Sequence, residues 1–316
     1  MLHRNFILFI LISLTFISCE KEITVDLPFP KDQIVVEGFI ENDVPPYVFL
    51  TKNSPYFGSI DINDLDLYYV KGAKIVVSSG NDSVELVEYS ASIINLLPFE
   101  EKQKLSEIFG VPLDTNFNIP NISVYSIPLN SEFVGEIGKT YHLRIEVEGK
   151  VLTASTYIPN GVSVYDLSVE PHTNPKYDSL VLLRGRINEP DTLGNFCRYF
   201  TRKNSQPYTL NNNSVYDDLI FNGKDFPLDI PYGIDRNTDE DFDFNTFGYW
   251  NKKDTCYVKF CAIDKPHYDF WRTLENELAN QGSPFGSYTR IRSNINGGIG
   301  IWGGYSSTLS AYYPKE

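Results

Sequence analysis

Histidine, cysteine, tryptophan and methionine are scarce in this chain, with 4, 4, 3 and 1 in 316 residues. The four histidines, His3, His142, His172 and His267, form no H-x-x-x-H or H-x-H pair of the kind that holds zinc. No G-x-S-x-G elbow offers a serine nucleophile either. Basic residues are also few. Lys and Arg number 27 against 41 Asp and Glu, a net charge of −14. Nucleic-acid binding runs on neutralising phosphates with Lys and Arg, so that class of partner is excluded. Gly298-Ile-Gly-Ile-Trp-Gly303 spells G-x-G-x-x-G, but the chain ends too soon for the helix and acidic residue that a dinucleotide site needs. These shortages leave no catalytic residue to assign, and the chain reads as non-enzymatic with no cofactor.

Long apolar runs are missing but for one. Phe6 to Ile17 is almost wholly apolar, flanked by His3 and Arg4 before and Ser18-Cys19 after. About a dozen apolar residues make a signal-peptide core, whereas a bilayer-spanning helix needs roughly 20. Residues 1–18 are therefore predicted to be a signal peptide and 19–32 a tether containing Pro28-Phe29-Pro30. The Ser18-Cys19 junction resembles a bacterial lipobox, with Phe16 where Leu is usual. That resemblance implies acylation of Cys19 and anchorage in outer-membrane lipid, at about 0.8 kcal/mol per buried CH2. Cys19-Glu20-Lys21-Glu22 is similar to the surface-export tether of Bacteroidetes lipoproteins, which implies display on the extracellular side.

Aromatic residues and turn formers are plentiful: 21 Tyr, 21 Phe, 21 Gly and 19 Pro. This balance favours β-structure. The predicted fold is mainly β: an immunoglobulin-like β-sandwich over 33–160, then a second β-rich domain over 161–316 with one helix at 267–281. The sandwich assignment rests on hairpins such as 138–159, where Tyr141, Leu143, Ile145 and Val147 alternate with polar residues, so that one face is buried. Residues 98–110 are predicted to contain a short amphipathic helix ended by Gly110. Pro159-Asn160-Gly161 is the predicted domain boundary. The polar, aromatic-dotted stretch 203–250 is predicted to be short strands and surface loops forming a contact region.

Cys256 and Cys261 lie five apart in one predicted strand and face opposite sides, so they cannot pair with each other. Cys197 can pair with Cys256 across strands, or all three can remain free thiols. Asp235, Asn237 and Asp239 occupy the first three ligand positions of an EF-hand-like loop. Glu240 and Thr246 stand where Gly and Glu are required, which leaves a weak Ca2+ candidate and no assigned metal.

Taken together, Cys19-Glu-Lys-Glu, Val35-Val-Glu-Gly38, Pro46-Tyr-Val-Phe-Leu-Thr51 with Tyr56-Phe-Gly58, Gly282-Ser-Pro-Phe285 and Ser293-Asn-Ile-Asn-Gly-Gly-Ile-Gly-Ile-Trp-Gly-Gly-Tyr305 resemble the DUF4249 family of Bacteroidetes outer-membrane lipoproteins. That resemblance implies a surface-facing lipoprotein, often encoded beside TonB-dependent receptors, and supplies no catalytic residue. The expected function is a non-enzymatic accessory subunit that docks on a TonB-dependent barrel and helps nutrient uptake. The alternative is a free-standing glycan- or peptide-binding module with Trp250, Trp271 or Trp302 as a stacking platform. An envelope hydrolase ranks third.

Overall fold

The β6–β7 hairpin shows how pattern becomes structure. Strands β6 (Thr140–Val147) and β7 (Lys150–Tyr157) pair antiparallel, with Thr140 opposite Tyr157 and Val147 opposite Lys150. Every second residue of β6 is buried, beginning with Tyr141. Glu148 and Gly149 both take positive φ (50° and 71°), the two-residue turn whose twist matches that of the flanking strands.

The computed structural model describes residues 33–53, 67–111, 113–211, 213–233, 243, 245–280, 286–287 and 289–314. The first half supplies β1 (Ile34–Glu41), β2 (Tyr47–Lys52), β3 (Lys74–Ser79), β4 (Asp82–Ser90), β5 (Ser123–Ser126), β6 and β7. Helices α1 (Ala91–Ile94) and α2 (Phe99–Phe109) interrupt them; α2 ends at Gly110 in the left-handed region, as the sequence predicts. The second half adds β8 (Val164–Pro171), β9 (Leu180–Asn188), β10 (Phe196–Lys203), β11 (Val215–Asp217), β12 (Asp225–Ile230), β13 (Trp250–Asn251) and β14 (Cys256–Ile263). Helix α3 (Lys265–Asn280) and the long strand β15 (Ile299–Tyr312) follow.

The fold is mainly β. Eleven strands form one sheet in the order β11-β10-β14-β15-β1-β2-β5-β4-β3-β6-β7. β15 lies parallel to β1, with Gly38 opposite Trp302, and antiparallel to β14. The sheet bends back on itself, because Thr153 of β7 bridges to Asn296, just before β15. Val36, Ile40, Leu50, Ile75, Tyr141, Leu143, Ile145 and Trp302 fill the sandwich so enclosed. A second sheet of β8, β9, β12 and β13 buries Val181, Leu183, Ile187, Ile230 and Trp250 against Val258 and Phe260 of β14.

The division into domains at residue 160 needs correction. Pro159-Asn160-Gly161 falls where the chain leaves the long sheet, but β10, β11, β14 and β15 return to that same sheet. Residues Asp32–Glu316 form one compact unit. A local break in composition marks a turn; it does not show that the chain will later add strands to the first layer. Close approach at the seam demands glycine. Gly300 sits at φ 115°, and a Cβ there would lie 1.9 Å from the Val36 carbonyl oxygen.

Candidate functional site

The inner face of β1 presents Val36 and Ile40 to the sandwich core, so Glu37, Phe39 and Glu41 face the other way. That outer face is covered by α2 and α3. Asp264 caps α3: its Oδ1 accepts from His267 N at 3.0 Å. Its Oδ2 accepts from Thr156 Oγ1 (2.9 Å) and Tyr157 N (3.0 Å), so the cap also ties the helix to β7. Phe109 of α2 packs on Tyr47 and Phe49, with ring centroids 5.2 and 5.9 Å away.

Between the sheet and the two helices lies a cavity of about 220 Å3. Glu37, Arg198, Lys259 and His267 line it together with the rings of Phe39, Tyr47, Tyr208, Trp271 and Tyr305. A wider cleft of about 430 Å3 opens beside the 159–161 turn. Its lining is largely turn residues, and its one orphaned buried group is Glu189 Oε1. The smaller cavity concentrates more of the unusual electrostatics and is the stronger candidate.

Most charges around the cavity are matched. Glu41 binds Lys259 Nζ at 2.7 Å and accepts from Ser307 Oγ. Buried Arg198 donates from Nε to Ser214 Oγ at 3.0 Å, and Ser214 in turn donates from N (3.0 Å) and Oγ to Glu275. The Arg198 guanidinium also stacks 3.6 Å over the Trp271 ring. Burial pulls the Arg198 pKa down to about 10, opposed chiefly by Glu275, so it stays charged at neutral pH. Arg202 reaches Glu107 at 3.5 Å.

Glu37 differs. No hydrogen bond or ion pair to its carboxylate occurs among the described residues. Its side chain is open to water in the cavity yet ringed by protein. Burial raises its pKa against the pull of Arg198. His267 is also incompletely paired. Its Nδ1 donates to the Gly304 carbonyl (3.3 Å), leaving Nε2 a bare acceptor with no partner. Burial, aided by Arg198, pushes the imidazole pKa down to about 3, so the ring is neutral at physiological pH. Trp271 Nε1 is an unpaired donor on the same wall.

The predicted site residues fare unevenly. Trp250 and Trp302 cannot form a stacking platform, because both are core residues, 1% and 0% exposed. Trp250 Nε1 donates to Ile230 O and Trp302 Nε1 to Tyr141 O, which satisfies both indoles inside the protein. Trp271 alone of the three lines the cavity. The Cys197–Cys256 disulfide is also corrected, since both are free thiols, as is Cys261. In the β10–β14 ladder Cys197 stands opposite Ala262 and Cys256 opposite Lys203. Those positions are six residues, about 20 Å, apart along the strand, far beyond disulfide reach. Burial pushes the Cys256 and Cys261 thiols up to about 12. Cys19, Glu20, Lys21, Glu22, the signal peptide and tether, and the Asp235, Asn237 and Asp239 loop lie outside the described residues, as do Tyr56-Phe-Gly58 and Gly282-Ser-Pro-Phe285.

Glu37, Arg198 and Glu275 were missed as a group by sequence reasoning. The only available signal was Glu37 and Glu41 standing four apart, on one face of an otherwise apolar strand. Charge at period two reads as a wet face unless something is known to cover it.

A doubly layered β-scaffold with a charged, aromatic-walled cavity beneath two helices is the class defined by these features. The family model described as a domain of unknown function, DUF4249, matches residues 20–310, and the chain belongs to that family. A search of curated proteins returns no match.

Proposed function

We propose that this protein is a lipid-anchored, non-enzymatic accessory subunit that docks on a TonB-dependent outer-membrane barrel and assists nutrient uptake. The observation that carries the docking reading is a group of apolar loop tips on the rigid scaffold. The Asp218 carboxylate accepts from Gly194 N (2.9 Å) and Asn195 N (3.0 Å), fastening the 191–195 loop to the turn after β11. Leu193, Leu219 and Ile220 emerge on these adjoining loops 72%, 74% and 75% exposed. A fixed apolar patch on an acidic protein suits a protein contact. The anchor at Cys19 belongs to this proposal, as does the extracellular orientation implied by Glu20, Lys21 and Glu22. Among the described residues no helix is long and apolar enough to cross a membrane.

The test is affinity purification of the tagged full-length protein from detergent-solubilised envelopes. Co-elution of a large barrel protein is expected, and replacing Leu193, Leu219 and Ile220 together with Ser should abolish it while circular dichroism stays unchanged. Recovery of a lone monomer from wild-type cells would sink the docking reading. Cys19→Ala should move the protein from the membrane to the soluble fraction.

A further inference from the structure

We infer that the cavity beneath α2 and α3 binds a small organic amine, with Glu37 as the counter-ion to its ammonium group. The case begins with a comparison inside one strand. Glu37 and Glu41 project from the same face of β1 four residues apart. Glu41 is saturated by Lys259 and Ser307, whereas Glu37 has no partner among the described residues. A carboxylate open to water in a protein-walled cavity can exchange that water for a cationic ligand, and no bond among the described residues uses this one.

The neighbouring charges point the same way. Glu41 is matched by Lys259, Glu107 by Arg202, and Glu275 by Arg198 through Ser214. Among the described residues this leaves one surplus negative charge, that of Glu37. Arg198, the cation that acts on it, is held on Ser214 and on the Trp271 face. His267 adds a second unsatisfied acceptor, Nε2, on the cavity wall. An ammonium group carries three donors and no acceptor, which suits these two acceptors, one of them the surplus carboxylate.

The rest of the wall selects for an apolar body. Phe39 and Tyr47 present rings 5.7 Å apart beside Glu37, and the sandwich of Arg198, Lys259 and Arg202 over Trp271, Tyr305 and Tyr208 shows that these rings already accommodate cations. A cavity of about 220 Å3 would hold roughly seven waters, the room of one small ring with a short chain. This inference goes beyond the docking reading above and is independent of any barrel.

Three probes of one skeleton test it on the isolated full-length protein: phenethylamine, 2-phenylethanol and phenylacetate, followed by calorimetry and by Trp fluorescence. Phenethylamine should bind at least about tenfold tighter than the neutral or anionic probe. Glu37→Gln should abolish that preference, while Glu37→Asp retains it at reduced affinity. Preference for phenylacetate, equal affinity for all three, or no binding by any at millimolar concentration overturns the inference. So does an unchanged preference in Glu37→Gln. Because the wild-type comparison needs no variant, a folding defect in Glu37→Gln cannot obscure the result. Barrel co-purification is measured separately, so either reading can fail alone.

Discussion

The two faces of β1 obey different rules. Inward, Val36, Gly38 and Ile40 meet an aliphatic and aromatic interior, and Trp302 packs so closely that a Cβ at position 38 would lie 2.8 Å from its ring. Outward, Glu37, Phe39 and Glu41 meet charges and rings under two helices. The inner face is close-packed and, among the described residues, has no polar loose ends. The outer face holds an unpaired carboxylate, an unpaired imidazole nitrogen and a buried guanidinium. The difference suggests that folding is specified by one face and function by the other, and it can be attacked from either side.

The largest effect should come from the inner face. Trp302→Ala removes a fully buried ring and its bond to the Tyr141 carbonyl at the parallel β1–β15 seam. A cost of about 4 kcal/mol is expected in urea unfolding, in the range for emptying a large aromatic site. A loss under about 1 kcal/mol would mean that the seam is not part of the cooperative core.

On the outer face, Glu275→Ala should cost about 3 kcal/mol, because Arg198 and both Ser214 donors lose their anionic terminus while remaining buried. The double variant Arg198→Met with Glu275→Leu should recover most of that loss. Breaking a buried charge relay is more damaging than replacing it with matched apolar side chains. If the double variant is no better than the single, the network contributes net stability and the contrast between faces weakens.

His267 gives a pH test of the same face. Its folded pKa of about 3 lies below the unfolded value of 6.5, so the unfolded chain takes up the proton first as pH falls. The contribution is complete above pH 6.5 and is lost as pH falls towards 3. From neutrality to pH 5 the expected loss is about 2 kcal/mol. His267→Phe, whatever its stability at pH 7, should show a correspondingly shallower fall over that interval. Parallel wild-type and variant curves would show that the imidazole is not held neutral.

What could be seen in the sequence follows the same division. Tyr141, Leu143, Ile145 and Val147 announce a half-buried strand because apolar alternation has one physical explanation, and α2 and α3 announce themselves by spacing and by Gly110. The parallel pairing of β1 with β15 was invisible, since it joins residues more than 260 positions apart and is selected by close fit at Gly38 and Gly300. Buried charge was equally invisible. Arg198 and Glu275 read as solvent-facing residues until Ser214 is placed between them, and Trp250 and Trp302 read as exposed aromatics until their indole partners are known. Of the residues lining the cavity, only Trp271 reads from the sequence as a candidate contact residue.

The smallest effect is the most informative about the two faces. Burial raises the Glu37 pKa above its unfolded value, so the penalty sets in as pH rises past the unfolded value and is complete above the raised one. Below the unfolded pKa the group is protonated in both states and contributes no such penalty. Glu37→Gln keeps the shape and removes the charge, so it should leave stability at neutral pH unchanged or slightly higher, and should make it less dependent on pH through the carboxylate range. Thermal unfolding from pH 4 to 8 would measure this. A clear destabilisation at pH 7 would reveal a structural partner for Glu37 and make the outer face resemble the inner one. A small gain, together with loss of amine preference, would identify a residue kept for binding at a cost to stability.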